Sequence, residues 1–271
     1  MAIGHSAHDT YRMLAAEGVA LETKGFAMGV RAEHPQSLIN KLMYHTTNVE
    51  YVGNASYSLV TQVDGRGVYS FCMCPGGHIV PAGSEAGSCV VNGMSASHRN
   101  SPYANSGMVV QINPEDISGE NPLRGLAFQE ELERLAFEHG GPQAQAPAQR
   151  LKDFVEGKAS KDLPACSYLP GVVSSRMDQW LPAHIGKRLQ QGFRDFDRKY
   201  PGFLTNDAVI LGVESRSSSA VRIPRDPDTL QSVSTPNLYP CGEGAGYAGG
   251  ITSSALDGIN AAIKIAEGPL C

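Results

Sequence analysis

The run Thr235-Pro-Asn-Leu-Tyr-Pro-Cys-Gly-Glu-Gly-Ala-Gly-Tyr-Ala-Gly-Gly-Ile-Thr-Ser-Ser-Ala255 holds two glycine turns with one carboxylate between them, followed at once by a helical pattern. Leu238 to Cys241 reads as a short strand entering the turn at Gly242. Gly249-Gly250 then opens a helix whose apolar positions, Ile251, Ala255, Ile259, Ala262 and Ala266, fall on one face. Lys264 sits near its carboxyl end, where the helix dipole favours a cation. The first amides of a helix have no intrahelical acceptor, and glycine there lets a flat ligand approach the bare backbone, so such a start suits an anionic or electron-rich group. Glu243, on the turn, is placed to accept hydrogen bonds from hydroxyls. The competing reading is an ordinary strand–turn–helix connection. A carboxylate held between two glycine turns favours the ligand site.

Upstream, residues 208–213 form a compact apolar strand. Before it, Ile185, Leu189, Phe193, Phe196 and Tyr200 recur by threes and fours, which predicts a long helix ended by Pro201-Gly202. The polar, low-complexity stretch 140–149 reads as a mobile linker. Asn121-Pro122 is a helix start, with the helix running to about His139. Strands are expected at 79–81, 88–91 and 108–112. Tyr57–Val63 and Gly67–Met73 form a hairpin through Asp64-Gly65. Residues 26–32 suit a strand, and Pro35 opens a short helix carrying Leu38, Ile39, Leu42 and Met43. Ala2-Ile3-Gly4 reads as the end of a strand, as though the chain were cut from a longer protein, and a helix follows from Ser6 to Glu17, with Ser6 as its N-cap.

Composition narrows the classes. The chain has 271 residues, 41% of them hydrophobic and 18% charged, as in a globular protein. A net charge of −5 offers no basic footprint for nucleic acid. Neither a membrane-length apolar run nor a signal-peptide plan is present, so the expected address is cytoplasmic, without membrane association. Six cysteines in a chain this long are not a disulfide framework, and they read as free thiols.

The 235–255 run resembles the C-terminal flavin motif of FAD-dependent oxidoreductases. Ala2-Ile3-Gly4 is similar to the Ala-Thr-Gly strand end of those proteins, with isoleucine in place of threonine. Further runs, Gly4-His-Ser-Ala-His-Asp-Thr10, Phe71-Cys-Met-Cys-Pro-Gly-Gly77, Asn92-Gly-Met-Ser95 and Glu214-Ser-Arg-Ser-Ser-Ser-Ala-Val-Arg-Ile223, resemble a bacterial group of uncharacterised FAD-dependent dehydrogenases. The resemblance implies FAD as cofactor, electron or hydride transfer as activity, and NAD(P)H or a protein as electron donor; it does not indicate the substrate. It carries cofactor contacts to Gly4, Gly242, Glu243, Gly249, Gly250, Ile251 and Thr252, with Glu243 on a ribityl hydroxyl and the helix start beside the flavin pyrimidine ring. It implies an α/β fold in which residues 1–25 and 208–271 are fragments of an FAD-binding Rossmann-like domain and 26–207 an inserted strand-and-helix domain over the flavin. The Gly-x-Gly-x-x-Gly loop that grips the FAD pyrophosphate in such proteins has no counterpart here, so this chain by itself is expected to be inactive.

Cys72-Met-Cys74-Pro-Gly-Gly admits three readings. Two are a thiol pair exchanging electrons with flavin and a metal site using Cys72, Cys74, His78 and Cys89, for which the cysteine spacing is too short and no metal is expected. The third is a pair of small buried side chains on a turn that lets the backbone pass under the flavin ring. Gly4-His5-Ser6-Ala7-His8 matches the hydrolase elbow Gly-x-Ser-x-Gly only in part, because His8 replaces the second glycine, and a serine hydrolase using Ser6 is the outsider. A binding or structural module without cofactor is the other alternative.

Overall fold

A computed structural model describes residues 1–83 and 85–267. Cys271, counted above among the thiols, lies outside the described residues. The chain is mixed α/β and divides into two compact units. One gathers Met1–Ala27, Ile112–Gln129 and the residues from Arg216 on; the other gathers Met28–Gln111 and Glu130–Ser215.

The larger unit is built on a mixed sheet of seven strands among the described residues, in the order Val60–Val63, Arg66–Cys74, Tyr103–Ile112, Phe26–Pro35, Val209–Glu214, Ala146–Arg150, Val172–Ser174. The last pair is parallel and the Val209–Glu214 strand is antiparallel to both its neighbours. The Asp64-Gly65 hairpin forms, Val63 facing Arg66, with positive φ at both turn residues (48° and 71°) as a two-residue turn requires. The amphipathic helix is Ala183–Lys199 and buries Ile185, Leu189, Phe193 and Phe196. It lies close on the hairpin: a Cβ on Gly192 would stand 2.6 Å from Val68 Cγ1.

Residues 140–149 are not a linker. Ala146–Arg150 is a strand inside the sheet, and Ala146, Ala148 and Gln149 are fully buried. Its small residues, which read as low complexity, fit a strand covered on both faces. Pro147 lacks an amide proton, and it lies just past the last pair with the neighbouring strand, Leu211–Ala148, where that neighbour's other ladder slips. The strand expected at 88–91 runs instead over Val91–Met94, paired with His78–Pro81.

In the smaller unit, Tyr11, Leu126 and Val221 pack with Ile3, Leu21 and Leu123, and Leu14, Ile223 and Ala245 with Val19 and Tyr247. Glu22–Thr23 and Val221–Arg222 form a two-stranded antiparallel pair. The first helix is His8–Ala16, and its N-cap is Ala7 without a side-chain bond, so Ser6 does not cap it. Leu238–Cys241 is extended but not a regular strand. Met1 donates its amino group to Tyr239 O and accepts at its carbonyl from the Cys241 amide, and Leu238 O accepts from the Ser232 amide, which together do not make a ladder. The C-terminal helix is Ile251–Glu267. No helix of the described residues is long and apolar enough to cross a membrane.

Candidate functional site

The glycine segment forms one wall of a cleft of about 370 Å³ in the smaller unit. Ile3 and Gly4 line it from the N-terminal segment, Gly242 and Glu243 from the first glycine turn, and Gly250 and Ile251 from the helix start. The volume is at the lower end of small-molecule sites, roughly 300–1,000 Å³.

Local chemistry fixes each part. Gly242 has φ of 79°, a left-handed conformation that glycine adopts freely, and its amide donates to Asp257 Oδ2 at 2.7 Å. Gly244 is needed for close approach: a Cβ there would lie 2.2 Å from the Ile3 carbonyl oxygen. The Tyr11 hydroxyl, buried, donates to Gly244 O at 2.7 Å and so ties the turn to the first helix. Glu243 is half-buried at the cleft, with His5 Nδ1 3.4 Å from its Oε2.

The helix start is open. Gly249, Gly250, Ile251 and Thr252 are exposed, Ile251 by 93%, and a Cβ on Gly249 would meet nothing within 4 Å. Gly249 and Thr252 do not line the cleft. The structure thus brings Gly4, Gly242, Glu243, Gly250 and Ile251 to one cavity.

Two residues at this site were not anticipated. Asp257, on the C-terminal helix, takes a two-pronged bond from Arg225, whose guanidinium lies 3.8 Å from the centre of the Tyr247 ring and also donates to Pro240 O. The arginine holds the Asp257 carboxyl below the usual range. The signal was present: Asp257 is the one acidic residue on the early turns of an otherwise apolar helix.

The Cys72-Met-Cys74 run lies in the larger unit. The Arg66–Cys74 strand carries one extra residue between Phe71, facing Gly107, and Cys74, facing Asn105. Cys72 takes a left-handed φ of 50° in this bulge and is exposed, whereas Cys74 is buried. The following glycines do not leave room for a ring: a Cβ on Gly76 would stand 1.8 Å from Arg99 O, and one on Gly77 2.7 Å from Met94 O. They are glycines because the protein's own backbone passes there. Among the described residues, Cys72, Cys74, His78 and Cys89 do not gather as a metal-ligand group. Ser6 is exposed and bonds to no base among them.

Residues 25–217 match the family described as FAD-dependent protein, C-terminal domain-like. The match ends before Gly242. An uncharacterised protein of Clostridium beijerinckii (strain ATCC 51743 / NCIMB 8052) is 46% identical over 272 residues, covering 98% of this chain and 51% of that protein. The chain therefore spans about half the length of this curated relative. With most of its length matched, the chain belongs to the FAD-dependent protein, C-terminal domain-like family.

Proposed function

We propose that the chain supplies the flavin-facing C-terminal part of an FAD-dependent oxidoreductase of the dehydrogenase type. The observation that carries this reading is the uncovered helix start at Gly250-Ile251, sharing a cleft with the Glu243 carboxylate. The residues fit such a group: exposed first-turn amides suit an electron-rich ring edge, and Glu243 suits ribityl hydroxyls. Gly4 and Gly242 would let the cofactor lie against backbone, and Gly249 and Thr252 would border it. Bound FAD supplies the electron or hydride transfer; the chain's own groups bind and orient it. The cleft is sized for the flavin end of the dinucleotide rather than all of it. Pyrophosphate binding falls to a further segment bearing a glycine loop, which with the smaller unit would complete a Rossmann-like domain.

The test is titration of FAD, followed by flavin fluorescence, into this chain and into a version extended by its upstream coding segment. Tight binding by the longer form alone is expected. Equal affinity in both would remove the need for the glycine loop, and binding by neither would end the flavoprotein reading.

A further inference from the structure

The larger unit buries one arginine completely and aims it at the Cys74 thiol and the Cys72 carbonyl. Arg31 donates from Nε to Asn105 Oδ1 at 2.8 Å, and from Nη1 to Glu214 Oε2 at 3.0 Å and Asn92 Oδ1 at 3.2 Å. Its Nη2 donates to the Cys72 carbonyl at 2.7 Å and contacts Cys74 Sγ at 3.5 Å. Gly93 makes room for it, since a Cβ there would fall 2.0 Å from that nitrogen. A buried cation is costly unless paired, and this one is paired with a single carboxylate and turned toward sulfur. The bulge completes the arrangement: it puts the exposed Cys72 in a strained left-handed backbone, one residue from the buried Cys74, whose thiol donates to the Cys72 carbonyl at 3.4 Å.

We propose that Cys72 and Cys74 form a thiol–disulfide exchange site, with Cys72 as the attacking thiolate and Cys74 as the resolving thiol. The co-reactant is a disulfide, R–S–S–R′. Cys72 Sγ bonds to one sulfur as the S–S bond breaks, and R′S⁻ leaves and takes up a proton. Cys74 then loses its proton and attacks Cys72 Sγ, closing the Cys72–Cys74 disulfide and releasing RS⁻, which is protonated. The two protein thiols are oxidised by two electrons and the incoming disulfide is reduced to two thiols.

The charges fit these roles. A hydrogen bond from Cys74, aided by Arg31, lowers the Cys72 thiol to about 6, while the same bond and burial push Cys74 up. Once Cys72 is held in a mixed disulfide it no longer accepts that bond as a thiolate. The influence of Arg31 on Cys74 then remains. With one residue between the cysteines the closed ring is strained, which favours its reopening by a second thiol. No step of this exchange uses flavin.

The experiment treats the flavin-free chain with oxidised glutathione, quenches in acid and reads each cysteine by fragmentation mass spectrometry. The expected product has lost two hydrogens across Cys72 and Cys74. Cys74→Ser should instead accumulate a glutathione adduct at Cys72, and Cys72→Ser should give neither. Iodoacetamide labelling of Cys72 should rise less than about twofold from pH 6.5 to 8.5. A thiol of ordinary pKa would rise on the order of fiftyfold. Wild-type protein that stops at an adduct, or a Cys72 rate that climbs as an ordinary thiol's does, overturns the proposal whether or not either variant folds.

Discussion

Arg225 grips both carboxylate oxygens of Asp257, at 2.6 and 3.0 Å, and Asp257 Oδ2 also accepts the Gly242 amide. One ion pair thus fastens the C-terminal helix to the turn carrying Glu243. Both side chains are largely shielded, 8% and 14% exposed.

Asp257→Asn should therefore loosen the wall of the cleft. The native carboxyl is depressed, first by the Arg225 bonds, so its contribution is present above the unfolded pKa, about 3.9, and is lost as pH falls through the folded value. Urea unfolding at pH 7 is expected to show a loss of about 2 kcal/mol, as for a hydrogen bond to a charged group. The gap to wild type should close in acid once the folded carboxyl takes up its proton. Equal stability at pH 7 would show the pair to be ornamental.

The C-terminal helix predicts an opposite result on its apolar face. Leu256 and Ile259 are each 56% exposed. Leu256→Gln and Ile259→Gln should shift the unfolding midpoint of this chain by no more than about 0.5 kcal/mol, as for surface sites. Ile210→Ala, fully buried, should cost about 2–5 kcal/mol. A large loss at Ile259 would mean that the face is covered in solution.

Glu33 gives a pH dependence of the reverse sign to Asp257. Burial raises it to about 7, against the bonds it accepts from the Ser167 amide and hydroxyl. A carboxyl whose folded pKa exceeds the unfolded one binds protons more readily when folded, so stability falls as pH rises between about 4.5 and 7. Glu33→Gln should remove on the order of 3 kcal/mol of that fall, read as the difference in urea midpoints at pH 4.5 and 8. Glu214, also raised to about 7 by burial, keeps a residual slope in the variant.

What the sequence disclosed was local. The hairpin at Asp64-Gly65, the helix through Ile185 and Phe196 and the helix opening after Gly250 all follow from neighbours a few residues apart. Ala146–Arg150 was hidden because a strand of alanine, proline and glutamine has no apolar alternation, and its neighbours, Val172–Ser174 and Val209–Glu214, come later in the chain. The Arg31–Glu214 pair was hidden for the same reason, since only the sheet brings together groups 183 residues apart. Cys72-Met-Cys74 was visible as a motif, but the buried cation behind it was not.

Two glycines of the segment beside the cleft separate a ligand's needs from the fold's. At Gly244 an added Cβ would strike the Ile3 backbone at 2.2 Å, so Gly244→Ala should disturb the packing of the N-terminal segment and lower the thermal midpoint. At Gly249 it would meet no protein atom, and the backbone there is not left-handed, so Gly249→Ala should leave the midpoint unchanged. If bare backbone at that position exists for a planar cofactor, the same methyl group in the extended protein should weaken FAD binding by about tenfold or more, about 1.4 kcal/mol. Full affinity in folded Gly249→Ala would mean that the helix start does not border the flavin at this residue, because no structural cost is present to mask the comparison.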